Sequence, residues 1–325
     1  MTRSFCAAFS FCAWIFALAD ASCACTLIKI AQMPLIQLGS HYVVIANIAN
    51  QNKPMIVDTG SAVTLLSSKT TEDLKLAEDY SGPPPKPVLG IGQVSGELHR
   101  NVIVPVMAFG TLAFHNRSTV VASLDFGPIP ENAAVGLLGD DILSNYDVEF
   151  DFLAGSLTFY DEFECYDTFL PWLGTYSTLP FSHRGTKISV DLFLNGERSP
   201  AIVDTGNNKS FVSRSASALW TVRNDELRNT RGHSTSPLNG GTTSPNQKYR
   251  FDKIRIGDEV FTQEYMNVIP VPLQGMSANL GLDYWKNRKL WISYPNNLIY
   301  ISKLFSSPRL AYPVKVVSPK SLAKN

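Results

Sequence analysis

Two Asp-Thr-Gly triplets are the residues of this 325-residue chain whose types and spacing point to chemistry. Asp58 ends the aliphatic run Met-Ile-Val, and Asp204, which lies 146 residues later, ends the run Ala-Ile-Val. The glycine after each threonine allows a tight backbone turn next to the acid. If the two acids face each other they cannot both ionise cheaply, so the pair shares one proton. The ionised carboxyl can then act as a general base on water, while the protonated one acts as a general acid toward a carbonyl.

The two triplets occupy matched positions in an internal repeat. Residues 34–60 align without a gap on residues 180–206, and this block carries one Asp-Thr-Gly onto the other. A second block aligns residues 139–160 on residues 281–302, with an offset four residues smaller. Two copies of one unit is the economical interpretation of such self-similarity.

Each copy has the pattern of β structure. Strand-like runs at His41–Ile48 and Lys187–Leu194 each reach a turn and then a second strand that ends in Asp-Thr-Gly, which is a hairpin pattern. Short helices are predicted at residues 69–76 and 140–145. The sequence therefore predicts a mainly β protein built from two similar halves.

These motifs resemble those of the aspartic peptidases, and specifically the retropepsin-like branch found in bacterial exported proteins. The resemblance covers residues 34–302. In the first copy it rests on Asp58-Thr59-Gly60-Ser61, on Leu89-Gly90-Ile91-Gly92, and on the Val-Gly-Leu-Leu-Gly segment at 135–139 followed by Asp140-Asp141-Ile142-Leu143. In the second copy it rests on Asp204-Thr205-Gly206, on Leu238-Asn239-Gly240-Gly241, and on Asn279-Leu280-Gly281-Leu282-Asp283.

The resemblance implies two homologous closed β-barrel lobes of retropepsin or pepsin type, with a cleft between them and a β-hairpin flap over the cleft. It also implies hydrolysis of peptide bonds in a polypeptide substrate, without a metal or cofactor, by a dyad of Asp58 and Asp204. Thr59 and Thr205 would cross-link the two active-site loops by hydrogen bonds. Retropepsins usually assemble from two identical chains; here the repeat would supply both halves, so we expect a monomer with an internal pseudo-two-fold axis.

The two loops differ at one supporting position. Gly60 is followed by Ser61, the usual family hydroxyl that hydrogen-bonds the catalytic carboxylate, whereas Gly206 is followed by Asn207. An asparagine side chain can still donate a hydrogen bond, but it is larger and is placed differently. Two interpretations therefore stay open: a working peptidase, or a catalytically degenerate protein that binds peptides or acts as a scaffold. The expected flaps are residues 91–97, which lack a tyrosine and so differ from the pepsin branch, and residues 237–246.

Composition and other motifs exclude several classes. The chain has 28 Lys and Arg against 28 Asp and Glu, so no basic excess would draw nucleic acid or an anionic membrane. The five histidines form no His-Glu-x-x-His motif, and no Cys/His cluster has zinc spacing. No Gly-x-Ser-x-Gly motif of a serine hydrolase occurs either.

The N-terminus has the features of an export signal. Arg3 precedes an uncharged apolar stretch, and Ala-Asp-Ala at residues 19–21 fits a signal peptidase site. We therefore expect a periplasmic or secreted protein that is not inserted in the membrane after cleavage; an uncleaved N-terminal anchor is the alternative. Beyond the signal (1–21), the predicted organisation is a first lobe (22–160), a linker (161–179), a second lobe (180–302) and a tail (303–325).

The cysteines of the mature chain leave their pairing open. Cys23, Cys25 and Cys165 remain after the signal, and export would place them where disulfides form. Cys165 can pair with either N-terminal cysteine, or all three can be unpaired structural residues.

Overall fold

The computed structural model describes residues 25–88, 90, 97–124, 134–163, 165, 169, 171–234, 244–270, 272–273 and 275–316. Within these ranges, no helix combines the length and apolar character that crossing a membrane requires. The predicted signal, most of both predicted flaps and the last nine residues lie outside the described residues.

The described chain is mostly β-strand. Strands β1 to β11 are Thr26–Pro34, Ile36–Leu38, His41–Ile48, Gln51–Val57, Leu65–Ser67, Ala77–Glu78, Val102–Phe109, Leu112–Ala122, Gly136–Leu138, Asp147–Asp151 and Ser156–Phe163. Strands β12 to β22 are Tyr176–Arg184, Lys187–Leu194, Glu197–Val203, Phe211–Ser213, Arg228–Ser234, Ser244–Ile256, Glu259–Ile269, Ala278–Leu280, Lys289–Ser293, Leu298–Ser302 and Val314–Val316. The helices are α1 (Ser68–Asp73), α2 (Asp140–Leu143) and α3 (Leu282–Trp285), with short 3₁₀ turns at Ser217–Leu219 and Asn224–Glu226.

Each copy of the repeat closes into a barrel of six strands, which confirms the predicted fold class. In the first lobe the order is β3-β4-β9-β5-β8-β7, and β7 pairs with β3 to close the ring. In the second lobe the order is β13-β14-β19-β15-β18-β17, and β17 pairs with β13. The two orders correspond strand for strand, as expected for two copies of one unit. The closed rings leave no exposed strand edge within the barrels.

A shared antiparallel sheet joins the two lobes. Its order is β12-β21-β20-β10-β11-β1, with β22 pairing in parallel on the outer side of β1. The central pair, β10 and β20, shows the pseudo-two-fold symmetry directly. Asp147 lies opposite Ser293 at one end, and Asp151 lies opposite Lys289 at the other. The offset of the second alignment block maps Asp147 onto Lys289 and Asp151 onto Ser293, so the repeat exchanges these two pairs.

The ends of the lobes differ from the boundaries predicted from sequence. The predicted linker is partly strand, because β11 continues to Phe163 and β12 already begins at Tyr176. The predicted tail contributes β22 to the shared sheet. Cys25 forms the disulfide with Cys165, so the start of β1 is tied to the segment that follows β11.

Aromatic side chains from the linker cover one face of the shared sheet. Phe169 and Trp172 pack with Tyr160, Trp291 and Tyr300 in one buried cluster. The polar ends of these rings have partners: the Trp172 indole donates to Glu149 Oε1 at 2.9 Å and the Tyr300 hydroxyl to the Phe169 carbonyl at 2.9 Å. The described part of the linker is therefore packed on the sheet through Phe169 and Trp172.

Asp147 in this sheet makes folding stability depend on pH. Its carboxyl is buried (2% exposed), and burial, followed by the hydrogen-bonded and like-charged Glu162, raises its pKa. The folded chain thus binds a proton that the unfolded chain releases near pH 4, so stability falls as pH rises from there toward the raised pKa. We expect Asp147→Asn, which keeps an acceptor for the Trp291 indole, to stabilise the protein at neutral pH by on the order of 2 kcal/mol. The gain should vanish in acid; a pH-independent difference in thermal unfolding between variant and wild type would contradict this.

Candidate active site

Asp58 and Asp204 each stand immediately beyond the end of a barrel strand. Strand β4 runs parallel to β9, and β14 runs parallel to β19. The Asp58 amide donates to the Leu138 carbonyl at 2.9 Å, and the Asp204 amide donates to the Leu280 carbonyl at 3.0 Å. Both acids are therefore held by rigid strands at the same place in their lobes.

A glycine follows each of the strands β9 and β19, which pair with the acid-bearing strands. This glycine lets the loop that carries the acid approach the backbone closely. A Cβ on Gly139 would lie 2.4 Å from the Val63 carbonyl oxygen, and a Cβ on Gly281 would lie 2.8 Å from the Asn207 carbonyl oxygen. No side chain fits at such distances. The apolar-apolar-Gly segments thus support the two loops by backbone contact.

The two carboxyls meet at the junction of the lobes, and each packs on the glycine of the opposite triplet. A Cβ on Gly60 would lie 2.5 Å from Asp204 Cγ, and a Cβ on Gly206 would lie 2.2 Å from Asp58 Cγ. The two carboxyls are within hydrogen-bonding reach of each other. The chain therefore brings together the two acids that the sequence singles out.

Thr59 and Thr205 cross-link the loops through four hydrogen bonds. The Thr59 hydroxyl donates to the Val203 carbonyl and the Thr205 hydroxyl to the Val57 carbonyl, both at 2.8 Å. Each hydroxyl also accepts from the other threonine's amide, at 3.2 and 3.1 Å. Both side chains are 1% exposed. Buried bonds of this kind are costly to break, so they fix the spacing of the acids.

The two carboxyls have unequal hydrogen-bond partners. Asp204 Oδ1 accepts from the backbone amides of Gly206 at 2.9 Å and Asn207 at 3.0 Å. Asp204 Oδ2 accepts from the side-chain amide of Asn279 at 2.6 Å. Asp58 Oδ1 accepts from the Gly60 amide at 2.8 Å. Asp204 therefore accepts three of these hydrogen bonds and Asp58 accepts one.

Ser61 and Asn207 differ from what the family resemblance implies. The Ser61 hydroxyl donates to the Val63 carbonyl at 2.8 Å, within its own loop, rather than to a carboxylate. The Asn207 side chain accepts from the Lys209 amide at 3.2 Å, and it is the backbone amide of Asn207 that reaches Asp204. Residue 207 therefore supplies a hydrogen bond to Asp204 through its backbone amide and not through its side chain.

Burial raises the pKa of Asp58 well above the usual carboxyl range, and the neighbouring Asp204 raises it further. The positive charge of Lys187 and the hydrogen bond from Gly60 act in the opposite direction, but the pKa stays raised. Two carboxyls this close titrate as one unit, so the raised pKa is a property of the pair.

A symmetric pair of basic side chains crosses the lobe junction. His41 begins β3 and its ring Nδ1 lies 3.0 Å from the Gly206 carbonyl; Lys187 begins β13 and its ammonium donates to the Gly60 carbonyl at 2.6 Å. Burial lowers the pKa of His41, so its ring is a neutral donor through Nδ1. Lys187 therefore supplies the charge on the Asp58 side and His41 a neutral group on the Asp204 side.

Several of these residues were missed in the sequence, although signals existed for them. The first alignment block places His41 on Lys187, two basic residues at one position of the repeat. The offset of the second block, continued two residues before its start, places Asn279 on Leu137, so that a polar residue stands within an apolar segment. Within the described residues, no group of three or more His, Cys, Asp or Glu side chains is arranged to hold a metal ion.

Comparisons with known proteins found similarity at the level of structure. No family model matches the chain, and no curated protein matches it. Among 397 matching chains of solved structures is the crystal structure of the aspartic proteinase from Irpex lacteus. It aligns over 84% of this chain and 97% of its own, with a TM-score of 0.52 and 14% sequence identity.

At that identity the likeness shows the fold alone, and the fold is that of the aspartic proteinases. The two barrels and the shared sheet of this chain thus belong to a two-lobed architecture in which one chain supplies both halves.

Proposed function

We propose that this chain is an aspartic endopeptidase that hydrolyses peptide bonds in polypeptides with Asp58 and Asp204 as its catalytic dyad. The observation that carries the proposal is the mutual packing of each carboxyl on the glycine of the opposite Asp-Thr-Gly. A pair of acids bound only for structural reasons would not need a rigid strand, a threonine cross-link and a close glycine in both copies.

In the proposed reaction Asp204 is the base and Asp58 is the acid. The ionised Asp204 accepts a proton from a water molecule held between the carboxyls, and the water oxygen bonds to the peptide carbonyl carbon. Asp58 donates its proton to the carbonyl oxygen, giving a neutral gem-diol. Asp204 then gives the proton that it took from water to the amide nitrogen, while Asp58 takes a proton from a gem-diol hydroxyl. The C–N bond breaks, a carboxylic acid and an amine are released, and both carboxyls return to their starting states. The raised pKa of Asp58 keeps this proton available above the usual carboxyl range.

We also propose that the protein is exported and belongs to the retropepsin-like branch with two fused copies. The signal-like N-terminus supports export, and the Cys25–Cys165 disulfide supports an oxidising compartment. The fused branch is supported by the gapless alignment of the two Asp-Thr-Gly segments.

Incubation of the purified chain with an unfolded protein tests this function. We expect new peptide termini, a bell-shaped dependence of kcat/KM on pH, and no effect of a metal chelator. Absence of cleavage over the whole range from acid to neutral pH would contradict the proposal.

Replacing Lys187 by Met should move the basic limb of the pH profile upward. Without the ammonium, burial and Asp204 raise the pKa of Asp58 further, so the dyad keeps its shared proton to higher pH. The control is Lys209→Met, which removes an exposed positive charge from the Asp204 loop that does not act on Asp58. A basic limb that stays in place or moves downward in Lys187→Met would show that Lys187 does not tune the dyad.

A further inference from the structure

Asn279 is a fully buried amide in an apolar environment. It lies on β19, where its strand partners are Ile202 and Phe211, and these belong to one buried apolar cluster. Its side chain is 0% exposed, and its Nδ2 donates to Asp204 Oδ2 at 2.6 Å in a hydrogen bond between buried groups. Asn279 Oδ1 has no hydrogen-bond partner among the described residues.

This placement does not favour stability. A buried amide with an unsatisfied oxygen costs free energy that an apolar side chain of similar size does not. The first copy has such a side chain at the matched position, Leu137, which is also buried in an apolar cluster. The first barrel therefore holds a leucine at this position, and we attribute the amide of the second barrel to its contact with Asp204.

The amide also makes the two acids unequal. It donates to the carboxyl oxygen of Asp204 that the loop amides leave free, because Gly206 and Asn207 both donate to Oδ1. The first copy has Leu137 at the position that matches Asn279, so no amide is present there, and the hydroxyl of Ser61 is directed to Val63. The Asp204 loop has Asn207 where the family has a serine hydroxyl. Asn279 on β19 supplies a hydrogen-bond donor to Asp204 instead.

We propose that Asn279 is a positioning residue that holds Asp204 as the ionised member of the dyad, and so decides which of the two acids is the base. This inference rests on the proposed function. It adds to that function a residue outside both Asp-Thr-Gly loops, acting through Asp204 rather than on the substrate. It also predicts that activity at acid pH depends on this one amide.

The test replaces Asn279 by Leu, the residue of the first copy, and by Ala, which fits if leucine is too large. Loss of the donor makes Asp204 harder to ionise. In both variants we expect the acid limb of the kcat/KM profile to move to higher pH, with activity below that limb reduced about tenfold. Activity near the optimum should change much less, since the dyad still holds one proton there.

Asn267→Leu is the matched control. Asn267 is a partly buried asparagine of the same barrel, and its amide donates to the backbone carbonyl of Ser210 at 3.0 Å, which does not titrate. Removing that amide should leave the acid limb unchanged. A shift of the limb in Asn279→Leu and Asn279→Ala but not in Asn267→Leu supports the proposal. An acid limb equal to that of the wild type in both Asn279 variants overturns it.

Thermal unfolding tests the role of Asn279 independently of activity. The amide binds an ionised carboxyl in the wild type, so the difference in melting temperature between Asn279→Leu and wild type should grow in favour of the variant as pH falls and Asp204 is protonated. If the wild type cleaves nothing, the proposed function is wrong. The role of Asn279 is then tested by the difference in melting temperature alone. A difference that depends on pH supports the role, and one that is constant with pH overturns it.

Discussion

Asp58→Asn and Asp204→Asn should each lower kcat/KM on an unfolded protein by about 10²- to 10⁴-fold, the range that general acid–base catalysis contributes. Each change removes one of two groups that work as a unit, so the double variant should be little worse than either single one. Asparagine keeps the size of the side chain and an oxygen that can accept the loop amide bonds. The loss is therefore expected without unfolding.

The same variants should separate loss of activity from loss of structure. Because burial raises the pKa of Asp58, the wild type must bind a proton when it folds at neutral pH, and this costs stability. The Asp58→Asn chain avoids that cost, so it should melt at or above the wild-type temperature at neutral pH. Asp191→Asn, at a surface ion pair with Arg198, is the control and should keep full activity. Cleavage that survives both active-site changes would exclude the dyad.

Gly206→Ala is expected to disrupt the site from the opposite loop. The new Cβ would lie 2.2 Å from Asp58 Cγ, so the carboxyl or the loop must move. Overpacking of this kind costs about 1–3 kcal/mol, and a displacement of about 1 Å at a reacting group can lower the rate about 10²-fold. Gly60→Ala should act in the same way on Asp204, at 2.5 Å.

Gly82→Ala is the matched control for both glycine variants. Its Cβ would make only an ordinary contact, at 3.4 Å from Asp79 Oδ2. We expect its activity and melting temperature to stay close to those of the wild type. Full activity of Gly206→Ala would contradict the close packing of the two loops, and with it the shared proton.

The fold could be predicted from the sequence because the chain repeats one unit. The first alignment block contains both Asp-Thr-Gly strands, and the second begins at the glycines that end the two apolar-apolar-Gly segments. In each barrel these two segments are adjacent parallel strands. A residue pattern of this kind predicts local strands and their pairing well. The threonine cross-link was expected only from the family resemblance, and Thr59 and Thr205 make these hydrogen bonds.

The asymmetry of the site could not be predicted in the same way. Whether Ser61 turns toward Asp58 or toward Val63 depends on one side-chain torsion, which no sequence pattern encodes. The sequence singled out Asn207, whose side chain accepts a hydrogen bond from the Lys209 amide. The asparagine whose side chain contacts Asp204 is Asn279, on a strand 72 positions later. The contact of Asn279 with Asp204 arises only when β19 lies beside β14.

Titration of the purified chain with a statine-type transition-state mimic tests directly whether Asp58 and Asp204 form one dyad, because such a compound binds where both carboxyls face the same water position. We expect complete loss of cleavage at one inhibitor per chain, since a single chain supplies both acids. We also expect no tight binding to the Asp58→Asn, Asp204→Asn double variant. Cleavage that persists with excess inhibitor, or an end point of one inhibitor per two chains, would contradict the dyad.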